Sequence, residues 1–121
     1  MHWRRALLAG GWLYAAAIVW LSLTPSPSDP GFDYGDKVQH FLAYALLMVW
    51  FGLLYRNPKP RVAYGVLWIG MGMALEFAQA MTGYRSFELA DMAANALGVL
   101  AGAAAALSLP RAAAAAGKET P

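Results

Sequence analysis

Four long apolar runs separated by short polar breaks make up most of the chain. The runs cover approximately residues 6–23, 38–55, 62–81 and 90–109. Each run is close to the roughly 20 residues that an α-helix needs to cross a hydrocarbon core of about 30 Å. Strands of a membrane β-barrel would be shorter and would alternate polar with apolar residues. The pattern therefore predicts an all-α fold, a compact bundle of four transmembrane helices in a polytopic membrane protein.

Proline, glycine and basic residues mark the breaks between the runs. The first run ends at the proline-rich segment 24–30, because proline cannot continue a helix. Residues 56–61 carry three positive charges and two prolines and predict a tight basic hairpin, and residues 82–85 form the last break. We expect residues 1–110 to form one membrane domain. The alanine-rich tail, residues 111–121, is expected to be disordered and is assigned no chemistry.

Composition supports the membrane class and excludes several others. Of 121 residues, 60% are hydrophobic and only 13% are charged, which is unlike a small soluble domain. The formal net charge of +2 is too small to indicate a nucleic-acid partner. There is no cysteine, so disulfides, thiol nucleophiles and thiolate metal sites are excluded.

The distribution of basic residues predicts the orientation in the membrane. Lys37 and Arg85 lie on one side of the predicted bundle. The opposite side carries Arg4, Arg5, Arg56, Lys59, Arg61, Arg111 and Lys118. Short loops rich in Lys and Arg stay cytoplasmic, so both termini and the middle hairpin are expected in the cytoplasm. A cleaved signal peptide is disfavoured for the first run, which exceeds the usual length of about 7–15 residues and has no Ala-x-Ala site before Thr24.

Under this topology the polar residues of three runs fall on the outer side of the membrane. They are Asp36, Lys37, His40 and Tyr44 in or before the second run, Glu76 and Gln79 in the third, Arg85 in the break, and Asp91 and Asn95 in the fourth. Asp36, His40 and Tyr44 are spaced four residues apart, which places them on one helical face. Unpaired ionisable groups in a bilayer are costly and usually mark a site.

Glycines share these polar faces and predict that the faces pack against one another. Gly72 lies on the face of Glu76, and Gly98 and Gly102 continue the face of Asp91. Small residues allow helix backbones to approach closely within a membrane. The sequence therefore predicts one shallow polar pocket, open outward, with its side chains at a depth of about 5–10 Å.

The motifs of the chain resemble those of the VanZ-like membrane proteins, a family named for a teicoplanin-resistance protein. They are Leu21-Ser22-Leu23-Thr24-Pro25, Asp36-Lys37-x-x-His40-Phe41-x-x-Tyr44, and Glu76-x-x-Gln79 followed by Arg85, Asp91, Asn95, Gly98 and Gly102. Glu88 falls where the family often carries an acidic residue, more usually Asp. The resemblance spans nearly the whole chain before the tail. It implies a small multi-pass protein of the bacterial cytoplasmic membrane and cell envelope, with antibiotic resistance as one role.

The polar residues allow two kinds of chemistry. His40, Glu76 and Asp91 are the candidate catalytic residues for acid-base work on a phosphate or glycosidic linkage, as in a hydrolase or transferase. The candidate binding residues are Asp36, Lys37, Tyr44, Gln79, Arg85 and Asn95. In the second reading they hold a lipid-linked cell-wall precursor, a phospholipid headgroup or a glycopeptide without turnover. Arg85 would position an anion in either case.

Purely structural interpretations of the same residues also remain open. The polar cluster can simply hold the helices together, with Arg85 paired to Glu76 or Asp91. No cofactor is predicted, and a metal on His40, Glu76 and Asp91 lacks the support of a His-Glu-x-x-His spacing. Transport ranks last, because the cytoplasmic halves of the last three runs contain no ionisable residue. The oligomeric state is not determined by the sequence.

Overall fold

The computed structural model describes residues 2–24, 35–55, 57–83 and 88–109. This part of the chain contains four α-helices and no strand: α1 (His2–Leu23), α2 (Gly35–Leu54), α3 (Pro58–Met81) and α4 (Leu89–Ser108). Each helix is long and apolar enough to cross a membrane. The predicted all-α, multi-pass architecture is therefore confirmed. The alanine-rich tail lies outside the described residues.

All four helices begin earlier than the sequence pattern predicts, α4 by one residue and the others by three or four, with α1 starting at His2 instead of Ala6. α3 begins at Pro58, four residues before the predicted start at Val62, so four of the six residues of the expected hairpin are helical. The first four N–H groups of a helix have no partner within it, and Pro58 and Pro60 therefore lose no hydrogen bond there. α2 begins at Gly35. Lys37 consequently lies in the first turn of α2.

Consecutive helices run antiparallel. Tyr14 Oη of α1 donates to the carbonyl oxygen of Ala43 at 3.1 Å, and Trp50 Nε1 of α2 donates to that of Leu7 at 2.7 Å, so residue numbers rise on α1 as they fall on α2. We call the end of the bundle that holds Leu23, Gly35, Met81 and Leu89 the polar end. The opposite end, which holds His2, Leu54, Pro58 and Ser108, is called the basic end.

The most extensive interface among the described helices joins α2 and α4, which run parallel. A Cβ atom added to Gly98 would lie 2.3 Å from the carbonyl oxygen of Phe41, and one added to Gly102 would lie 2.3 Å from that of Ala45. The backbones of α2 and α4 are therefore in direct contact. Small residues spaced four apart permit such a close approach of membrane helices. The predicted coincidence of glycine and polar faces is confirmed on α4.

Aromatic side chains fill the space between α1, α2 and α3. The rings of Phe51 and Tyr64 stack with centroids 4.5 Å apart, and Trp12 meets Trp68 edge to face at 5.3 Å. Offset and edge-to-face pairs at such distances are favourable. Tyr64 and Trp68 therefore have a packing role, and this cluster fixes the hairpin from which α3 returns to the polar end.

Candidate functional site

A lysine joins two acidic residues at the polar end. Lys37 Nζ of α2 lies 2.6 Å from Glu88 Oε1 and 3.2 Å from Asp91 Oδ1 at the start of α4. Asp91 is buried, whereas the side chain of Glu88 is 43% exposed. The contact with Asp91 is electrostatic, because Asp91 Oδ1 accepts no hydrogen bond from the described residues. Lys37 therefore neutralises charge between the two parallel helices.

One turn further into the bundle, His40 of α2 meets Asn95 of α4. The Nδ1 atom of His40 lies 3.0 Å from Asn95 Oδ1. With the amide oxygen as acceptor, Nδ1 carries the hydrogen and donates it. The Nε2 atom of a neutral ring is then a hydrogen-bond acceptor and a base. Asn95 thus fixes both the orientation and the tautomer of the imidazole.

Glu76 brings a third helix into the cluster. Its side chain is 1% exposed, although it lies only two turns from the end of α3. Glu76 Oε2 accepts a 2.6 Å hydrogen bond from the backbone N–H of Glu88, while Glu76 Oε1 has no hydrogen-bond partner among the described residues. Asp91 and His40 both interact electrostatically with this carboxylate. A buried acceptor without a donor is rare and needs an explanation.

The local sequence explains how α4 starts at this point. Glu88 is the N-cap of α4, and its side chain makes no capping hydrogen bond. In a capping box, the residue three positions later accepts a bond from the N-cap N–H. That residue here is Asp91, which faces Lys37 instead. Glu76 of α3 supplies the missing acceptor, so the start of α4 depends on a side chain from another helix.

A glycine makes room for the amide of the cluster. A Cβ atom added to Gly72 on α3 would lie 3.0 Å from Asn95 Nδ2 and 3.1 Å from Asn95 Cβ. Such distances are tighter than ordinary van der Waals contact, so a side chain at Gly72 would push Asn95 toward α2. The glycine on the polar face of α3 therefore positions Asn95, and through it His40.

The structure brings together most of the predicted site residues. Lys37, His40, Glu76, Asp91 and Asn95 meet at the polar end, as the contacts above describe. The buried Tyr44 lies close enough to Glu76 for an electrostatic interaction. Its position beneath the cluster agrees with the predicted polar face of α2.

Other predicted residues lie apart or cannot be placed. Gln79 is turned toward α1 and donates from Nε2 to the carbonyl oxygen of Ser22 at 2.8 Å. The side chain of Asp36 and the whole of Arg85 lie outside the described residues. The pairing predicted between Arg85 and Glu76 or Asp91 therefore lies outside them as well. The connections 25–34 and 84–87 at this end also lie outside them.

Sequence reasoning gave Glu88 no site role, although it contributes both a backbone donor and a carboxylate. The sequence offered two signals: Glu88 falls where the resemblance expects an acidic residue, and it lies just before the fourth apolar run, where an acidic residue favours a helix start. Among the described residues, no group of three or more His, Cys, Asp or Glu side chains is arranged to hold a metal ion. Among the described residues the cluster contains two buried carboxylates that each have an oxygen without a hydrogen bond, and of these Asp91 Oδ1 is ion-paired with Lys37.

The chain was compared with known proteins. No family model matches it, and no curated protein or solved structure matches it either.

Proposed function

We propose that this chain is a cell-envelope protein of the bacterial cytoplasmic membrane, and that its polar end binds the headgroup of an amphiphilic envelope molecule. The observation that carries the proposal is Glu76 Oε1, a buried carboxylate oxygen without a hydrogen-bond partner among the described residues. Burying an unsatisfied acceptor costs about 1–3 kcal/mol. A ligand that brings a hydroxyl, amide or ammonium donor to this oxygen would recover that free energy.

The convergence of ionisable groups supports a binding role. Lys37 of α2 and Glu76 of α3 both interact with Asp91 of α4, and His40 of α2 interacts with Glu76. Ionisable residues within membrane spans are expensive, and they mark substrate or ion sites more often than packing requirements. The cluster offers both a cation and several acceptors, which is suited to a headgroup with mixed polar groups.

Charge at the two ends supports an outward-facing polar end. Arg4, Lys59 and Arg61 lie at the basic end, whereas Lys37 lies at the polar end. Because basic ends of short-loop membrane proteins stay in the cytoplasm, the polar end would face the outer leaflet. An outer-leaflet ligand is then expected.

The resemblance to VanZ-like proteins narrows the ligand class. It favours a lipid-linked cell-wall precursor or a glycopeptide such as teicoplanin, and with the latter a role in antibiotic resistance. The two ligands share what the cluster requires, since both carry many hydroxyl and amide donors. We include membership of that family in the proposal.

Modification of the ligand is a narrower form of the same proposal. His40 Nε2 is a base in the tautomer that Asn95 imposes, and Glu76 is a second proton-accepting group near it. Together they fit general acid-base catalysis of a hydrolase or transferase type. In an enzyme, Glu76→Gln would lower turnover by more than its weaker binding of the substrate explains.

A structural role for the cluster is the alternative. It is favoured by the way Lys37 and Gln79 are used within the bundle, since Lys37 links α2 to α4 and Gln79 links α3 to α1. In this alternative the polar residues only hold four helices together. Variants of the cluster would then reduce the amount of folded protein and nothing else.

A thermal-shift experiment on the full chain in detergent tests the proposal. The probes are a lipid-linked cell-wall precursor, phosphatidylethanolamine and teicoplanin. Each is added to the protein in detergent, and the melting temperature is compared with that in detergent alone. A bound ligand at 100 times its Kd stabilises the folded state by about 2.7 kcal/mol. We expect one probe to raise the melting temperature of the wild type and to have a smaller effect on Glu76→Gln and His40→Ala.

Gly70→Ala is the matched control, because a Cβ atom at Gly70 meets nothing within 4 Å. It should respond to the probe as the wild type does. The proposal is wrong if none of the three probes stabilises the wild type. It is also wrong if His40→Ala and Glu76→Gln keep the full response, because the ligand would then bind elsewhere.

A further inference from the structure

An apolar cleft of about 360 Å³ lies at the basic end, away from the polar cluster. Its walls are α3 and α4, and Met48 and Gly52 of α2 form its floor. Among the described residues that line it, Arg61 alone is charged. The cleft is thus an apolar groove with one cationic side chain, Arg61, at its mouth.

The cleft exists because α3 has a glycine where it crosses α4. A Cβ atom added to Gly65 would lie 3.9 Å from Val99 Cγ1 and 4.0 Å from Met48 Sδ, which are ordinary contact distances. A methyl group at Gly65 would therefore touch these two neighbours without displacing them, and Gly65 itself lines the cleft. Val66 and Leu107 on the rim are 66% and 65% exposed, so the opening faces the surroundings of the bundle, which are hydrocarbon in a membrane.

The length of the cleft matches one leaflet. It extends along α3 from Ile69 to Pro58, which is about three helical turns or about 16 Å. That distance is close to half of a hydrocarbon core of about 30 Å. The cleft therefore begins near the middle of the bilayer and reaches the interface at Arg61, as an acyl chain does.

Arg61 is held in place at the mouth. Its Nε and Nη2 atoms both donate to the carbonyl oxygen of Gly52, at 3.2 and 2.9 Å. This carbonyl is among the last four of α2, which have no partner within that helix. The guanidinium is thus oriented by the end of α2, and the exposed Lys59 lies two residues earlier in the same turn of α3.

The mouth of the cleft favours negative charge. Arg61 and Lys59 lie in the first turn of α3, whose N-terminus adds a partial positive charge. The sequence has no acidic residue from Gly52 to Gly65 or from Val99 to Leu109. Basic pockets between transmembrane helices recognise anionic lipid headgroups. The apolar interior of the cleft and its cationic mouth together are suited to a molecule with an apolar chain and an anionic headgroup.

We propose that this cleft is a specific site for an anionic phospholipid, with one acyl chain between α3 and α4 and the phosphate at Arg61. The lipid would complete the surface of the bundle at the basic end. This site is separate from the polar cluster and does not depend on the function proposed for that cluster.

Native mass spectrometry of the full chain released from detergent tests the proposal. The probes are phosphatidylglycerol and phosphatidylcholine with identical acyl chains, and soluble glycerol phosphate as the headgroup alone. The wild type should bind phosphatidylglycerol about tenfold more tightly than phosphatidylcholine, because the second lipid carries the same phosphate but adds a choline cation beside the positively charged mouth. Glycerol phosphate should not compete, because it lacks the acyl chain.

Two matched pairs of variants test where the acyl chain lies and which side chain selects the headgroup. Gly65→Leu fills the cleft and should lower the affinity for both lipids about tenfold, whereas Gly70→Leu on the open face of the same helix should not. Arg61→Gln should abolish the preference for phosphatidylglycerol, and Lys59→Gln should keep most of it. Arg61→Lys keeps the charge and should keep the preference.

Unchanged lipid binding by Gly65→Leu would overturn the proposal, because the acyl chain would then lie elsewhere. A wild type without preference between the two lipids would overturn it as well, and so would full competition by glycerol phosphate. Arg61→Gln also removes the bonds to Gly52, so its melting temperature is measured alongside. If that variant fails to fold, Arg61→Lys decides the matter: loss of the preference with the charge retained would contradict a role for that charge.

Discussion

The carboxylate of Glu76 accepts a hydrogen bond from the backbone N–H of Glu88, at 2.6 Å between Oε2 and N. This bond connects the C-terminal part of α3 to the N-cap residue of α4. Oε2 of Glu76 thereby stabilises the fold, whereas Oε1 has no hydrogen bond among the described residues. One side chain therefore serves both the start of a helix and the candidate site.

The first prediction separates these two uses of Glu76. Glu76→Ala removes the acceptor and leaves the N–H of Glu88 unsatisfied, so the free energy of unfolding should fall by about 1–3 kcal/mol. Glu76→Gln keeps an oxygen for that N–H and removes the repulsion with Asp91, so it should stay within about 1 kcal/mol of the wild type. Unfolding in detergent, followed by tryptophan fluorescence, measures both. Equal losses would show that the bond to Glu88 contributes little.

The second prediction concerns the ion pair of Lys37. Replacing Lys37 by Met leaves Asp91 buried without its cation, and the free energy of unfolding should fall by about 2 kcal/mol, between the values of exposed and buried pairs. Asp91→Asn in the same background should restore part of this loss. A double-mutant cycle gives the coupling energy. Lys59→Met, at an exposed position near the basic end, is the control and should change stability little.

The third prediction tests the backbone contact between α2 and α4. Gly98→Ala would place a methyl group 2.3 Å from a carbonyl oxygen, which only separation of the helices can relieve. The expected loss is about 1–3 kcal/mol or more. Gly70→Ala, which meets nothing within 4 Å, should instead gain up to about 1 kcal/mol from helix propensity. Melting temperatures in detergent compare the two, and similar values would refute the close approach.

The fourth prediction follows the imidazole of His40. Asn95→Ala removes the acceptor at Nδ1, so the ring should no longer be confined to one tautomer. The ¹⁵N chemical shifts of the ring nitrogens report this change. The chain has two histidines, and His2 on the exposed face of α1 serves as the internal reference. Gly72→Ala should produce a smaller change in the same direction, because it displaces Asn95 without removing it.

The fifth prediction concerns orientation. Because the chain has no cysteine, single cysteines can be introduced without a background. Leu89→Cys at the polar end and Asn57→Cys at the basic end both lie at exposed positions. An impermeant maleimide should label Leu89→Cys in intact cells and Asn57→Cys only after permeabilisation. The opposite result would place the polar cluster in the cytoplasm.

Hydropathy and spacing predicted the helices and the meeting of their polar faces. The period of a helix fixes which residues share a face, so Glu76, Asp91 and Asn95 could be assigned to one cluster before their partners were known. Glycines at Gly98 and Gly102 gave the packing face for the same reason. Helix starts were less predictable, because proline in a first turn resembles proline in a loop.

Pairings within the cluster could not be predicted in this way. Lys37 and Arg85 were both candidate cations, and only the close approach of α2 and α4 brings Lys37 to Asp91. A long side chain reaches several neighbours, so spacing alone does not select one. The apolar cleft was not anticipated at all, since it depends on how far α3 and α4 separate beside Gly65.

The parallel contact of α2 with α4 has a consequence for biosynthesis. Lys37 and His40 leave the ribosome more than 50 positions before Asp91 and Asn95, the residues they meet. A nascent chain with three spans inserted therefore holds a cation and an imidazole without their partners. The cluster is completed only when the final span joins the bundle, so a product truncated before α4 leaves these polar groups of α2 without their α4 partners.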